Sequence, residues 1–223
     1  GLLRLMGYEA QKGKCARVLL EASGVREPVL MPADQRFLVG DISFETALAG
    51  RLTDNRIAAV YTRDSNGLHD HSYVLDQDIP VSARIFTENP ADGMELYLVL
   101  EKAPEPGEEF LIHVRVGNRY KRNPFQEEGG RPFASLSWAC YTKDGFVEMK
   151  AEDKTHAFLE DGEIRFTMPE QEAARYEEGA LSGYVWRASL AEPEYDVPPE
   201  IFHISGFLFE AWQKETLAIT HTF

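Results

Sequence analysis

Short segments in which apolar and polar residues alternate run through most of the chain. In segment 96–100 leucine occupies every second position, and in segment 110–116 apolar residues alternate with His113 and Arg115. Because successive side chains of a strand point to opposite faces, this period of two predicts strands with one buried face. Further apolar runs that predict strands are 16–20, 29–31, 37–44, 57–61, 138–141, 146–149, 164–168 and 184–190. The predicted fold is therefore mainly β.

Turn-forming dipeptides separate several of these strands. Gly40-Asp41, Asp144-Gly145 and Asp161-Gly162 each lie between two apolar runs. Such dipeptides favour tight β-hairpins, because glycine and aspartate tolerate the positive φ angles that these turns require. Frequent turns between short strands indicate an antiparallel β-sandwich rather than a parallel sheet with crossover helices.

Helix is expected to be a minor component, limited to one or two short helices. Residues 47–52 are consistent with one helical turn. Pro169 suits the first position of a helix over 170–176, whose Glu170 and Glu172 would lie at the positive end of its dipole. The polar stretch 63–81 is predicted to be a loop or long hairpin.

The length of 223 residues suggests one large or two small domains. We expect a short helix end and a small β unit over 1–93, and a β-sandwich domain over 94–206. Segment 207–223 is expected to be a strand that returns to the first unit or begins the next domain. Because the chain begins at an apparent helix end and stops within a strand-like run, we expect a fragment of a longer protein.

Net charge and cysteine content exclude some classes of partner and of site. The net charge of −14 opposes the release of counterions that drives binding to nucleic acid, so neither nucleic acid nor an anionic membrane is an expected partner. No apolar run approaches the roughly 18 residues that a membrane-spanning helix needs. Cys15 and Cys140 lack the spacing of a zinc or redox motif, and we interpret both as small core residues in a reducing compartment.

Catalytic motifs are absent from the sequence. There is no GxSxG, GxGxxG, P-loop or HExxH pattern, so we predict a protein that is not an enzyme and has no cofactor. One cluster, Asp64, His69, Asp70 and His71, has metal-ligating chemistry. Two histidines two residues apart lie on the same side of an extended segment, where they and a carboxylate can bind Zn²⁺. We prefer a solvated turn without metal, with His69, His71 and Asp64 as the candidate ligands.

Two other residue groups have both a chemical and a structural interpretation. The first group consists of the carboxylate pairs Glu108/Glu109, Glu127/Glu128 and Glu177/Glu178. Glycosidase chemistry needs two carboxylates that face each other across a cleft. Adjacent glutamates are more commonly solvent-exposed residues of a turn, which is the interpretation we prefer. The aromatic residues Tyr97, Tyr120, Trp138, Tyr141, Tyr184, Trp186 and Trp212 suit packing in a core or subunit interface. Their alternative role is stacking on sugars, which leaves a glycan-binding β-sandwich module as the alternative function.

A series of short motifs follows the chain in order. The first stretch contains Leu5-x-Gly7-Tyr8, Ala16-x-Val18, Val29-x-Met31-Pro32-Ala33, Phe37 and Phe44-Glu45-Thr46. The second contains Glu95-Leu96-Tyr97-Leu98, Pro104-x-Pro106-Gly107, Leu136-Ser137-Trp138, Gly145-Phe146-Val147, Asp153-Lys154-Thr155, the run 162–169, the run 183–190 and Tyr195-x-x-Pro198-Pro199-x-Ile201-x-x-Ile204. In this order the motifs resemble the J-type baseplate (wedge) proteins of contractile phage tails and phage-like contractile injection systems. Asp34-Gln35 stands where that family's pattern has Gly-Thr.

The resemblance implies a non-enzymatic structural component of a baseplate wedge. Its expected partners are other baseplate or tail subunits, with homo-oligomerisation left open. Its expected location is the bacterial cytoplasm during assembly and then the phage or phage-like particle. The matching positions are structural ones, namely Pro32, Phe44, Trp138, Gly162, Phe166, Tyr184, Trp186, Arg187, Pro198 and Pro199.

Overall fold

A computed structural model describes residues 15–22, 24–46, 48–86, 93–117, 134–193, 195 and 198–214. These residues form strands and one 3-10 turn, Ser72–Leu75. The strands are β1 (Arg17–Glu21), β2 (Val29–Met31), β3 (Arg36–Val39), β4 (Ile42–Thr46), β5 (Gly50–Leu52), β6 (Ile57–Asp64), β7 (Gly67–Asp70), β8 (Ala83–Arg84), β9 (Glu95–Leu100), β10 (Glu109–Val116), β11 (Ala134–Thr142), β12 (Gly145–Glu148), β13 (Lys150–Asp153), β14 (Gly162–Thr167), β15 (Arg175–Glu178), β16 (Leu181–Pro193), β17 (Glu200–Ser205) and β18 (Leu208–Trp212).

The chain forms two compact units. The described residues of the first unit lie within Gly1–Leu20, Pro28–Leu52 and Phe209–Phe223, and those of the second lie within Glu21–Glu27 and Thr53–Leu208. The second unit contains a five-stranded sheet, in the order β13-β14-β10-β17-β8, and a larger sheet in the order β12-β11-β16-β9-β6-β7, with β15 also paired to β16. Neighbouring strands in both sheets are antiparallel.

The core of the second unit lies between these two sheets. Trp138 on β11 and Trp186 on β16 belong to the larger sheet, and Phe166 on β14 belongs to the five-stranded sheet. The centroid of the Phe166 ring is 4.8 Å from that of Trp138 and 4.9 Å from that of Trp186. The same buried cluster contains Val60, Leu96, Leu98, Leu100, Ile112, Val114, Ile164, Ile201 and Ile204. Burying each large apolar side chain contributes roughly 1.5–3 kcal/mol, which makes this layer the main source of stability of the unit.

The first unit is smaller. It contains a four-stranded sheet in the order β1-β18-β4-β3 and a two-stranded sheet of β2 and β5. A tight hairpin joins β3 to β4, and the φ angle of Gly40 in its turn is 61°. The ring of Phe37 on β3 lies 5.3 Å from that of Phe209 on β18, while Phe44 on β4 is buried.

The predicted fold class is confirmed. The described residues form antiparallel sheets, two of which make a β-sandwich, and the second, smaller unit is also β. Two of the three predicted hairpins are present, at Gly40-Asp41 and at Asp144-Gly145. Stretch 63–81 contains the hairpin of β6 and β7 followed by the 3-10 turn.

The predicted helical segments are corrected by the structure. Gly50–Leu52, within the predicted helical turn 47–52, is strand β5 and pairs with β2. Within the predicted helix 170–176, Ala173 forms a bridge with Thr142, and β15 begins at Arg175. In both places neighbouring strands satisfy the backbone groups, and this pairing outweighs the local preference for a helix.

The predicted hairpin at Asp161-Gly162 is also wrong. Gly162 is the first residue of β14, which pairs with β13 and β10 rather than with residues 157–159. The Asp161 carboxylate instead accepts a hydrogen bond from the backbone N–H of Val116, at 2.6 Å.

The predicted boundary at residues 93 and 94 does not coincide with the boundary of the two compact units. Strand β6 pairs with β9, and β8 pairs with β17, so both strands belong to sheets of the sandwich. The described part of segment 207–223 contains β18, which pairs with β4 of the first unit. Sequence order could not indicate these pairings, because they join residues far apart in the chain.

Candidate functional site

The candidate metal ligands lie around the hairpin of β6 and β7. The Nε2 atom of His69 is 3.0 Å from Oδ1 of Asp64. The same Asp64 oxygen accepts hydrogen bonds from the backbone N–H groups of Asn66 and Gly67, at 2.7 and 3.1 Å. The bonds from His69 and from the Asn66 backbone lower the pKa of Asp64. Asp64 therefore holds the hairpin turn in shape.

His71 lies in a different environment from His69. Strand β7 ends at Asp70, and His71 leaves it with φ −122° and ψ 19°, so the extended His-x-His geometry is not formed. The Nε2 atom of His71 is 2.9 Å from the Thr62 hydroxyl, and Nδ1 is 3.3 Å from the Tyr73 hydroxyl. Burial, followed by the nearby His69, lowers the pKa of His71.

Asp70 is also engaged in local structure. Its carboxylate accepts hydrogen bonds from the backbone N–H and the hydroxyl of Ser72, at 2.8 and 2.6 Å, where the 3-10 turn begins. Nowhere in the described ranges do three His, Cys, Asp or Glu side chains form a group able to hold a metal ion. The cluster shapes a hairpin and the turn after it.

The aromatic residues divide into buried and half-buried groups. Tyr97, Trp138 and Trp186 are buried, and Tyr120 lies outside the described residues. Tyr141 is half-buried and packs edge-on against Phe146 and Tyr176, with centroids 5.2 and 4.8 Å away. Tyr184 packs against the main core, and the Trp212 indole donates a hydrogen bond to Glu210 at 2.6 Å. Two of the three tryptophans named for sugar stacking, Trp138 and Trp186, are therefore inside the sandwich.

A second apolar cluster covers the outer face of the larger sheet. Its buried members are Tyr97, Val99, Leu181 and Val185. Two arginines lie over it: the Arg187 guanidinium is 4.1 Å from the Phe146 ring centroid, and that of Arg63 is 5.2 Å from the Tyr97 ring centroid. Arg187 also pairs with Glu95 at 3.1 Å. In the sequence, the one indication of this second apolar face is that the residues between the leucines of 96–100, Tyr97 and Val99, are also apolar.

Two of the three carboxylate pairs, 108/109 and 177/178, lie in the described part of the chain. Glu177 bonds to Arg175 at 3.1 Å, whereas Glu178 accepts hydrogen bonds from Tyr176 and Arg63, which lower its pKa. Glu109 is 4.0 Å from Arg165. The pair at 127 and 128 lies outside the described residues.

Gly162 is needed for a close contact between strands. A Cβ atom at this position would lie 2.6 Å from the backbone oxygen of Lys154 and 2.9 Å from its carbonyl carbon. The backbone N–H of Lys154 bonds to the carbonyl of Glu163 at 2.9 Å. The chain therefore approaches β14 more closely than any side chain at 162 would permit.

The other motif positions have structural surroundings as well. Pro198 and Pro199 are buried immediately before β17. Pro32 is exposed after β2, and its carbonyl accepts a hydrogen bond from the Thr46 hydroxyl at 2.8 Å.

Sequence reasoning missed a left-handed turn at 156–158. His156, Ala157 and Phe158 have φ angles of 51°, 58° and 64°, a region that costs non-glycine residues about 1–3 kcal/mol each. Phe158 and Ala157 are buried, and the Tyr195 hydroxyl donates to the carbonyl of Ala157 at 2.7 Å. The turn places the Phe158 ring in the main core.

Hydrogen bonds from two side chains hold this turn. The Asp153 carboxylate accepts from the N–H and hydroxyl of Thr155, at 2.7 and 2.6 Å, and from the N–H of Ala157, at 2.9 Å. The Thr155 hydroxyl accepts from the N–H of Phe158 at 2.9 Å. Asp153 and Thr155 belong to one of the sequence motifs. Their Asp-x-Thr spacing is typical of side chains that bond to nearby backbone N–H groups, and it was the one feature of the sequence that indicated this turn.

No model of a known protein family matches the chain, and no curated protein sequence matches it. Among the helices of the described residues, none has the length and apolar character needed to cross a membrane.

Proposed function

We propose that this chain is a non-enzymatic structural component, or part of one, of a baseplate wedge in a contractile phage tail or phage-like contractile injection system. The observation that carries the proposal is the ordered series of motifs, which runs from Leu5 to Thr46 and from Glu95 to Ile204. In this proposal the protein acts by packing against other subunits rather than by chemistry on a substrate.

The surroundings of the motif residues support this proposal. Trp138, Phe166 and Trp186 fill the sandwich core, and Gly162 permits a close contact of two chain segments. Arg187 covers the outer apolar cluster. These are the roles expected in a rigid assembly part, whereas the motifs of an enzyme would include a nucleophile, a base or a metal ligand.

The partners in this proposal are other baseplate or tail subunits. The protein would be made in the bacterial cytoplasm and then become part of the particle. Glycan binding remains the alternative, and it would depend on the half-buried rings Tyr141, Tyr184 and Trp212. We favour assembly because two of the three tryptophans, Trp138 and Trp186, are buried, which leaves Trp212 as the one half-buried tryptophan.

A particle-association experiment tests the proposal. The gene is tagged at its own locus, particle production is induced, and high-molecular-weight material is isolated by sedimentation through a gradient. We expect the tagged protein to sediment with sheath, tube and spike proteins, and its deletion to abolish contraction-competent particles. An unrelated protein with the same tag, expressed at the same level, is the matched control.

Two results would contradict the proposal. One is a tagged protein that stays at the top of the gradient while sheath-containing particles sediment normally. The other is a deletion strain with a normal yield of contractile particles. Binding of the purified chain to a glycan array, lost on Tyr141→Ala or Trp212→Ala, would favour the alternative function.

A further inference from the structure

The hairpin of β6 and β7 contains an asparagine followed by a glycine in an exposed turn. Asparagine occurs at five positions of the sequence, and only at Asn66 is the next residue glycine. Asp64 on β6 pairs with Gly67 on β7, so Ser65 and Asn66 form the turn between the strands, and Asn66 is exposed. An asparagine in this setting is open to a chemical modification.

The reaction of an Asn-Gly pair needs only water as co-reactant. The backbone nitrogen of the glycine attacks the side-chain carbonyl carbon of the asparagine. A C–N bond forms, the nitrogen loses its proton, and ammonia leaves. Water then opens the resulting cyclic imide at one of its carbonyl groups, which leaves aspartate or isoaspartate. Glycine favours the attack because it has no Cβ atom beside the nitrogen.

In the folded hairpin the Gly67 nitrogen is held by a carboxylate. Its N–H group donates a hydrogen bond to Oδ1 of Asp64 at 3.1 Å, and the N–H group of Asn66 donates to the same oxygen at 2.7 Å. The Nε2 atom of His69 lies 3.0 Å from this oxygen. The cyclic imide has no N–H group at the Gly67 nitrogen, so ring closure removes the hydrogen bond to Asp64. Because bonds to a charged acceptor are strong, the carboxylate opposes the reaction.

Asn55 provides a contrast within the same chain. Its side-chain oxygen accepts hydrogen bonds from the N–H groups of Arg56 and Lys102, both at 2.9 Å, and its amide group donates to the Lys102 carbonyl at 2.8 Å. Arg56, the residue that follows it, also has a bulky side chain beside the nitrogen that would attack. The side chain of Asn55 is therefore fixed, whereas at Asn66 one carboxylate holds the attacking nitrogen.

We propose that Asn66 is a site of spontaneous deamidation, and that the Asp64 carboxylate restrains its rate in the folded protein. This inference goes beyond the proposed function and does not depend on it, since it concerns the isolated chain. The modification adds a negative charge beside Asp64, and isoaspartate also adds a carbon atom to the backbone of the turn.

The added backbone atom has a structural consequence for β7. For the described residues, the order of the larger sheet ends at β7, which has β6 as its partner. The register of this pair depends on the two-residue turn, and Leu68 of β7 packs against the outer apolar cluster. We expect isoaspartate at position 66 to speed the hydrogen exchange of the β7 amides and to leave that of β11 unchanged.

Timed incubation of the purified chain tests the proposal. One sample is folded and the other is unfolded in urea, both in mildly alkaline buffer, since the attacking nitrogen must lose its proton. After digestion at mildly acidic pH, mass spectrometry follows the change from amide to acid, and chromatography separates the aspartate and isoaspartate peptides. We expect Asn66 to react in both samples, about tenfold or more slowly when folded, as expected for one hydrogen bond to a charged group. Asn55 should stay intact in the folded sample.

A variant of Asp64 isolates the role of the carboxylate. Folded Asp64→Ala should deamidate at Asn66 about tenfold faster than the natural chain, whereas the two chains should react equally in urea. Asp64→Ser keeps an oxygen acceptor without the charge and should react at an intermediate rate. Asp78→Ala removes an exposed carboxylate elsewhere in the same unit and should leave the rate unchanged. Circular dichroism of each variant checks that its fold is retained.

Several results would overturn the proposal. Asn66 is not the proposed site if it stays intact in urea or in the folded chain, or if Asn55 reacts as fast in urea. The restraint is wrong if the natural chain reacts equally fast when folded and unfolded, or if folded Asp64→Ala and Asp64→Ser react no faster than the natural chain. A slower reaction of these variants would mean that the carboxylate takes up the proton of the attacking nitrogen and so promotes the attack.

Discussion

Asp153 accepts three hydrogen bonds at the start of the left-handed turn, from Thr155 and Ala157. These bonds offset the backbone strain at 156–158, where three consecutive residues have positive φ. We expect Asp153→Ala to lower the free energy of unfolding by about 2 kcal/mol or more, since hydrogen bonds to a charged acceptor contribute roughly 1.5–3 kcal/mol each but are not additive. Urea denaturation followed by tryptophan fluorescence measures the change.

A matched variant shows whether this loss is specific. Asp78→Ala removes an exposed carboxylate from another turn and should change the free energy of unfolding by less than about 0.5 kcal/mol. Thr155→Ser keeps the hydroxyl that accepts from Phe158 and should be milder than Thr155→Val. If Asp153→Ala is as stable as Asp78→Ala, the carboxylate does not hold the turn.

His71 gives the protein a pH-dependent contribution to stability. Its pKa is lowered in the folded chain, first by burial, whereas unfolding returns it to its ordinary value of about 6.5. As pH falls below about 6.5 the unfolded chain takes up this proton first, so the free energy of unfolding decreases. We therefore expect the natural chain to lose stability more steeply than His71→Gln between about pH 6.5 and 5. Parallel stability curves in urea would contradict this.

At the scale of elements, hairpins are predictable where local chemistry alone decides them. Gly40-Asp41 and Asp144-Gly145 form the predicted turns because the adjacent strands can pair directly. Asp161-Gly162 has the same chemistry, yet Gly162 is used for the close approach of Lys154. The helix predicted at 170–176 failed for a related reason: Thr142 and Tyr141 provide backbone partners for Ala173 and Ala174. Contacts between distant segments override these local signals.

Gly162 therefore provides a test of the contact between the Lys154 segment and β14. Gly162→Ala puts a methyl group 2.6 Å from a backbone oxygen, and the overpacking should cost about 1–3 kcal/mol of the free energy of unfolding. Gly50→Ala is the matched variant, since a Cβ atom there meets nothing within 4 Å, and it should cause no loss. Thermal unfolding of the two variants distinguishes them. Equal melting temperatures would mean that the Lys154 segment moves away at no cost.

At the scale of the whole molecule, the alternation of apolar residues identified the sandwich but not its boundary. The strand in 57–61 was predicted correctly as an element, yet nothing in its sequence indicates that its partner is β9. The family resemblance implies structural roles for Trp138, Phe166 and Trp186, and aromatic residues on strands favour packing. The left-handed turn was missed, since residues 156–158 include no glycine or asparagine to indicate positive φ.

The net charge of −14 leads to a prediction about assembly. Under the proposed function, partner subunits that present basic surfaces should attract the acidic chain at long range and so speed docking. Replacing the exposed Asp144, Glu148 and Glu170 by lysine changes the charge by two at each position. The net charge then changes from −14 to −8. We expect slower incorporation into particles, with a larger deficit at low salt. Substituting the same residues by Asn and Gln should have about half the effect, and unchanged incorporation in both variants would contradict the idea.

The two cysteines lie in different units, so their rates of reaction with a thiol reagent should differ. Cys15 is exposed and belongs to the first unit, whereas Cys140 is 1% exposed within the sandwich. Burial raises the pKa of the Cys140 thiol to about 12, so it lacks both access and the reactive thiolate form at neutral pH. We expect a thiol reagent to modify one cysteine per folded chain rapidly and the second only in denaturant. In Cys15→Ala, labelling of Cys140 should then follow the opening of the sandwich, because the thiol is buried within it. Rapid labelling of two thiols in the folded protein would contradict this, and it would mean that β11 opens without unfolding of the rest of the sandwich.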